Sequence, residues 1–221
     1  MEPIAAIALA MGAAWASGVN LYAAVAVLGL MQANGLAELP PDLQVLAHPG
    51  IIMVACIMYF IEFFADKIPG LDSAWDALHT FIRIPAGAAL AAMAIGDVSP
   101  IVTTMAALAG GSVTAASHAS KASTRVLVNT SPEPFSNWFL SLGEDIAAIG
   151  AVWISLNHPE LTLVLLVLFI GLVIWLLPKI FRLIGQAIQR INDLFRKNKK
   201  PKKRVASENV SMPNANSGHI T

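Results

Sequence analysis

Long apolar stretches alternate along this chain with short segments in which Pro, Gly, Asn and charged residues gather. The first stretch, from Pro3 to Ala33, is longer than the ~20 residues a spanning helix needs, and Ser17, Gly18 and Asn20 interrupt it. It predicts a short N-terminal half-helix, a break, and then a first span. Pro40-Pro41 and His48-Pro49-Gly50 bound a loop, and a second span runs from Ile51 to about Asp66, with Pro69-Gly70 as its stop signal. Asp72 or Ser73 can cap the next segment, in which Trp75, Leu78, Phe81 and Ile82 recur at helical spacing, as in a helix lying along the interface. Pro85 is expected to end it, leaving the Ala- and Gly-rich residues 86 to 96 as a thin, tilted or re-entrant third span.

A turn at Gly96, Asp97, Ser99 and Pro100 leads into a fourth span, Ile101 to about Lys121. Asn129 to Asn137 reads as a loop, Trp138 to Leu156 as the fifth span, and Leu161 to Leu177 as the sixth. Ile184, Ile188, Ile191 and Phe195 then mark a second interfacial helix over 180 to 195. The expected fold is all-α: a polytopic bundle of about six spans with two interfacial amphipathic helices. One compact membrane domain, 1 to 195, precedes a basic and then polar tail, 196 to 221, that lacks a core-forming pattern and is expected to be disordered.

Composition agrees with the pattern. Of 221 residues, 56% are hydrophobic and 13% charged, about half the charged share of an ordinary soluble domain, and the mean hydropathy is +0.66. Charge adds an orientation. Alternating the six spans puts residues 67 to 83, 121 to 134 and 179 to 221 on one side, and these hold all fourteen Lys and Arg. Short loops rich in Lys and Arg stay cytoplasmic, so both termini are expected there. Glu2 stands where a signal peptide carries positive charge, and no cleaved signal is expected. Cys56, the single cysteine, lies in an apolar run and reads as a small buried hydrophobe.

Residues 17 to 23 align with 142 to 148, placing Gly18 on Gly143, Asn20 on Asp145 and Ala23 on Ala148. After each stretch come a span, a Lys-Ile pair (Lys67-Ile68, Lys179-Ile180) and an amphipathic helix, as in a repeat about an axis along the membrane normal. Helical hairpins in lipid share much of this, so repeat and coincidence both stay open.

Ionisable groups inside spans are expensive and are functional candidates by default. Asn20 in span one, Glu62 and Asp66 in span two, His118 and Lys121 in span four, and Glu144 and Asp145 in span five share one depth, with Arg125 just beyond. His118, Lys121 and Arg125 line one helical face, and Glu62 and Asp66 another. Pairing acids with bases in low dielectric is the simplest arrangement, so helix packing competes with an inward-opening polar cavity. The adjacent carboxylates Glu144 and Asp145 weigh against packing alone. His118 suits a proton relay, a substrate contact or simple packing; it has no partners at metal-ligand spacing, so neither a metal nor another cofactor is expected. Gly111, Ala115, Ala119 and Ser123 form a small-residue stripe, suited to a central place in the bundle or to a contact within a homo-oligomer.

No nucleophile elbow, zinc-protease, P-loop or dinucleotide motif occurs, so an enzyme is not expected. Beside a membrane exit, the basic run 196 to 204 reads as attraction to anionic lipid, with no nucleic acid implied.

Gly18-Val19-Asn20, Ala65-Asp66-Lys67-Ile68-Pro69 followed by Asp72 and Trp75, and Arg83-x-Pro85-Ala86-Gly87 make a distinctive set. With them stand His118-Ala119-x-Lys121-Ala122, Asn129-Thr130-Ser131-Pro132-Glu133-Pro134 and Glu144-Asp145. Through these motifs the chain, from Met11 to Ile184, resembles a bacterial inner-membrane family, domain of unknown function 4126. The resemblance implies the element boundaries and the bacterial inner membrane, and carries no activity. The residues themselves suggest a small transporter or channel-like carrier for a polar or anionic solute, with proton coupling through Glu144 and Asp145. A non-catalytic scaffold or assembly factor and a lipid-headgroup-binding protein are the alternatives.

Overall fold

The computed structural model describes residues 2–68, 70–128 and 134–198. The chain divides into two compact units, Met1–Ile180 and Phe181–Thr221. Among the described residues every regular element is helical: α1 (Pro3–Ala33), a short 3-10 helix (Pro41–Ala47), α2 (Pro49–Ala65), α3 (Leu71–Ile95), α4 (Pro100–Val128), α5 (Pro134–Asn157) and α6 (Pro159–Asn198). Four helices are long and apolar enough to cross a bilayer: α1, α3, α5 from Ser136, and α6 to Leu176. The 3-10 helix and α2 make a fifth if taken as one span bent by 67°. α4 has the length, at 29 residues, but its Gly, Ser, Thr and charged residues make it more polar.

α1 is the hub of the first unit. It packs against α2, α3, α4 and α5 and against the 3-10 helix. Its small apolar residues, Ala8, Ala10, Ala13, Ala14 and Ala16, are completely buried, as expected of a helix that is apolar all round. The expected break lies at Asn20, where φ −148° and ψ 99° leave the helical region.

Two prolines behave differently from the sequence expectation. Pro85 does not end an interfacial helix; it lies inside α3, which runs unbroken for 25 residues, about 37 Å, enough to cross a bilayer. The amphipathic segment and the thin third span are therefore one helix. Pro178 likewise lies inside α6, so the sixth span and the second interfacial segment are continuous. A proline removes a single helical hydrogen bond, whereas ending a helix in lipid exposes several backbone groups without water. The loop assigned to 129–137 is helical from Pro134; residues 129–133 and the tail from 199 lie outside the described residues. α3 stops at Gly96, whose φ of 77° suits glycine after a helix C-terminus.

α1, α3 and α4 cross at glycines. A Cβ at Gly18 would strike Ser117 Oγ and the Thr114 carbonyl, one at Gly87 would strike the Thr114 and Ser17 side chains, and one at Gly110 would strike Ala91 Cβ. The α4 stripe that makes this crossing is Gly110, Thr114, Ser117 and Lys121, one residue away from the Gly111–Ser123 stripe of the sequence reading, which is only half-buried. Thr114 Oγ1 lies 2.8 Å from the Ala14 carbonyl, a hydrogen bond from α4 to α1.

Because the neighbours at Gly87 are on two other helices, α1 and α4, packed against α3, Gly87→Ala should cost about 1–3 kcal/mol. Its melting temperature in detergent should fall, while Gly143→Ala, whose Cβ meets nothing within 4 Å, should leave it unchanged or raise it.

Candidate functional site

The site begins with the break in α1. In an unbroken helix the Val19 carbonyl would accept from the amide of Ala23. Here Asn20 Oδ1 takes that amide at 2.9 Å, as an N-cap does for a new helix. The released Val19 carbonyl accepts from Lys121 Nζ at 3.1 Å, and Asn20 Nδ2 donates to Asp145 Oδ1 at 2.9 Å. One non-helical residue thus ties α1 to α4 and α5.

Lys121 Nζ also reaches Glu62 Oε1 at 3.1 Å and Asp66 Oδ2 at 3.0 Å, with Asp76 at 3.6 Å and Glu144 at 3.9 Å. Arg125 donates to the Asp66 carbonyl at 2.7 Å, to Asp66 Oδ2 at 3.1 Å and to Glu144 Oε2. Arg83 bonds Glu62 Oε1 at 2.6 Å and Asp76 Oδ1 at 3.0 Å. Arg83, Arg125 and Glu62 are wholly buried. All eight residues singled out from the sequence, Asn20, Glu62, Asp66, His118, Lys121, Arg125, Glu144 and Asp145, therefore meet in one cluster.

Arg83 and Asp76 belong to the same cluster and were missed. The sequence pattern puts both on an interfacial helix, in which Trp75, Leu78, Phe81 and Ile82 recur at helical spacing. Leu78 and Phe81 do face outward, 69% and 83% exposed, but the opposite polar face is buried within the bundle rather than turned to water. Asp72, Asp76, His79, Arg83 and Gly87 recur at spacings of three and four, and that stripe was the available signal.

His118 Nδ1 lies 3.1 Å from Arg83 Nη1, and its Nε2 lies 2.7 Å from Thr80 Oγ1. A guanidinium only donates, so Nδ1 accepts and the proton sits on Nε2, with the Thr80 hydroxyl passing its own hydrogen to the Asp76 carbonyl at 2.9 Å. His118 is thus neutral and holds α4 to α3. His79, one turn before Arg83, stacks on Trp75 with ring centroids 4.2 Å apart and pairs its Nε2 with the Tyr22 hydroxyl at 3.0 Å.

The charges do not balance. Four carboxylates, Glu62, Asp66, Asp76 and Glu144, share the three cations Arg83, Lys121 and Arg125. Asp145 adds a fifth beside them, held by the neutral Asn20 amide. Lys67, in the turn after α2, lies over the Phe63 ring and donates to the Phe63 carbonyl at 3.0 Å; burial lowers its ammonium below the ordinary lysine value. Among the described residues, Glu62 Oε2, Asp66 Oδ1, Asp76 Oδ2 and Asp145 Oδ2 are buried without a hydrogen-bond partner, as are Arg83 Nε and Arg125 Nε.

Beside the cluster lies a cavity of about 320 Å³ lined by Ser117, Ser120, Lys121, Thr124 and Glu144 together with the apolar Trp15, Val19, Phe139, Leu140 and Phe169. Its volume is at the small end of ligand-binding cavities. No group of three or more His, Cys, Asp and Glu suited to a metal ion occurs among the described residues.

Residues 7–179 match the family model described as Domain of unknown function (DUF4126). The chain belongs to this family. No curated protein and no solved structure matches it. The matched segment of this DUF4126 member holds every residue of the cluster, and it ends before the basic tail.

Breaking a buried ion pair from one side leaves a charge without compensation, at a cost of about 3–5 kcal/mol. Arg83→Leu, which leaves Glu62 and Asp76 with Lys121 as their one remaining cation, should lose most of its folded protein in detergent. Asp145→Asn keeps an acceptor for Asn20 and removes uncompensated charge, so it should melt within a few degrees of wild type.

Proposed function

We propose that this protein is a small carrier of the bacterial inner membrane that moves a polar solute coupled to protons. The observation that carries the reading is the buried excess of carboxylate: five acids around three buried cations, with Lys67 acting on Asp66 and Asp145 from the edge and still leaving the acids in excess. Full ionisation would leave uncompensated negative charge in a low-dielectric interior, and holding protons removes it. Glu144 is suited to exchange them, because it joins the ion-pair cluster and lines the adjacent cavity. Asp145 sits next to it on the same helix.

The polar solute is one that donates hydrogen bonds. The ammonium hydrogens of Lys121 are engaged by Val19, Glu62 and Asp66, and spare capacity at the cluster lies mainly in carboxylate oxygens. Six crossings with both termini cytoplasmic complete the reading, supported by the one-sided distribution of Lys and Arg. The Asn20–Asp145 hydrogen bond supports the internal repeat, since positions aligned in two related halves come together near their axis.

A scaffold role draws support from the same cluster, whose cations are already engaged by acids. In proteoliposomes carrying an internal pH indicator, the carrier reading predicts solute-dependent proton flux, abolished by Glu144→Gln or Asp145→Asn at unchanged amounts of folded protein. Absence of flux from well-folded wild type across a panel of amines and polyols would favour the scaffold. Deleting residues 198 to 221 should leave the flux intact.

A further inference from the structure

The cavity beside the cluster, polar at its Lys121–Glu144 end, is not isolated. A second cavity, of about 480 Å³, lies between α1, α5 and α6 and is lined by Met11, Gly150, Ala151, Ile154, Leu165 and Leu166 among others. Both cavities are bordered by Trp15, Ala147 and Phe169. The order of lining residues shows how they are placed. On α1 the apolar cavity takes Met11, Gly12 and Trp15, and the polar one takes Trp15 and Val19. On α5 the apolar cavity takes residues from Ile146 to Ile154, and the polar one takes residues from Phe139 to Ala147. They lie next to one another along α1 and α5, with Trp15 and Ala147 at the junction. The Trp15 indole N–H, at that junction, is buried and has no hydrogen-bond partner among the described residues.

The geometry points to a binding site for a single-chain amphiphile, its hydrocarbon chain between α1, α5 and α6 and its amine or hydroxyl head among Ser117, Ser120, Thr124 and Glu144. The chemistry of each end decides the occupant. The apolar stretch offers aliphatic and aromatic surface, so binding tightens with each methylene buried there. The polar stretch offers hydroxyl groups, the Glu144 carboxylate and the Lys121 ammonium; the ammonium hydrogens are already engaged by Val19, Glu62 and Asp66 and the adjacent acids are in excess, so a donating or cationic head is matched better than an anionic one. Gly143 and Gly150 stand on α5 beside the polar and apolar stretches, and a Cβ built on either meets nothing within 4 Å. The space beside them is available to a ligand.

This inference rests on the carrier reading for its role but not for its test. Trp15 serves as the reporter, the difference between wild type and Trp15→Phe isolating its fluorescence. The probes are a long-chain alkylamine brominated along its chain and the carboxylate of the same chain length, added to protein in lipid nanodiscs. The amine should quench Trp15 saturably and at least tenfold more tightly than the carboxylate. Gly150→Leu, which fills the apolar stretch and replaces a poor helix former with a good one, should abolish saturable quenching by both without lowering the melting temperature. Glu144→Gln should remove the preference for the amine while retaining binding. Equal quenching in wild type and Gly150→Leu, or tighter binding of the carboxylate, would overturn the site. Saturable binding without proton-linked flux would support the site and count against the carrier, and flux of a short polar solute without amphiphile binding would do the reverse.

Discussion

The ammonium of Lys121 is the point on which the first unit turns. It is buried, and a buried ammonium is tolerable only when every hydrogen is met and opposite charge surrounds it. Each requirement recruits a different helix. The carbonyl comes from α1 because Asn20 breaks that helix, Glu62 from α2, Asp66 from the turn after α2, and the more distant Asp76 and Glu144 from α3 and α5. Arg83 and Arg125 share with Lys121 the same two oxygens, Glu62 Oε1 and Asp66 Oδ2. The packing of α1 through α5 and the pairing of the charges are one arrangement.

Lipid as solvent explains features that look unusual by soluble standards. α3 turns its aromatic and aliphatic residues outward and its Asp76, His79 and Arg83 inward, since the interior is where their partners are and the outside offers none. Helix contact rests on glycine and hydroxyl groups, with Gly18, Gly87 and Gly110 allowing close approach and Thr114 bonding across it. Where α5 approaches α6 the contact is looser, and that is where the apolar cavity lies. The rigid charged cluster and the cavity beside it meet at Lys121 and Glu144.

Much of the site was legible because burying charge is costly enough to leave a trace in sequence. Asn20, Glu62, Asp66, His118, Lys121, Arg125, Glu144 and Asp145 stood out as polar residues in apolar stretches, and they assemble as one cluster. Arg83 and Asp76 did not stand out, because a segment mixing polar and apolar residues has the same periodicity whether its polar face meets water or the protein interior. The prolines misled for a related reason. Pro85 and Pro178 are helix breakers in water, where a free carbonyl finds a partner; in lipid the helix continues through them. The break at Asn20 was readable from Gly18 and Asn20, but its consequence, a carbonyl delivered to a lysine about a hundred residues further along the chain, depends on tertiary geometry.

The carboxylate excess gives the cluster its chemistry. Three buried cations face five acids, Lys67 acts on Asp66 and Asp145 from the turn after α2, and on the proposed reading protons or a bound donor meet the charge left over. Infrared spectroscopy of the folded protein, with Asp and Glu labelled with ¹³C to isolate the carboxyl carbonyl stretch, reads this directly. At neutral pH the account predicts a protonated-carboxyl band in wild type that weakens in Asp145→Asn or Glu144→Gln. A wild-type spectrum showing only ionised carboxylates would contradict it.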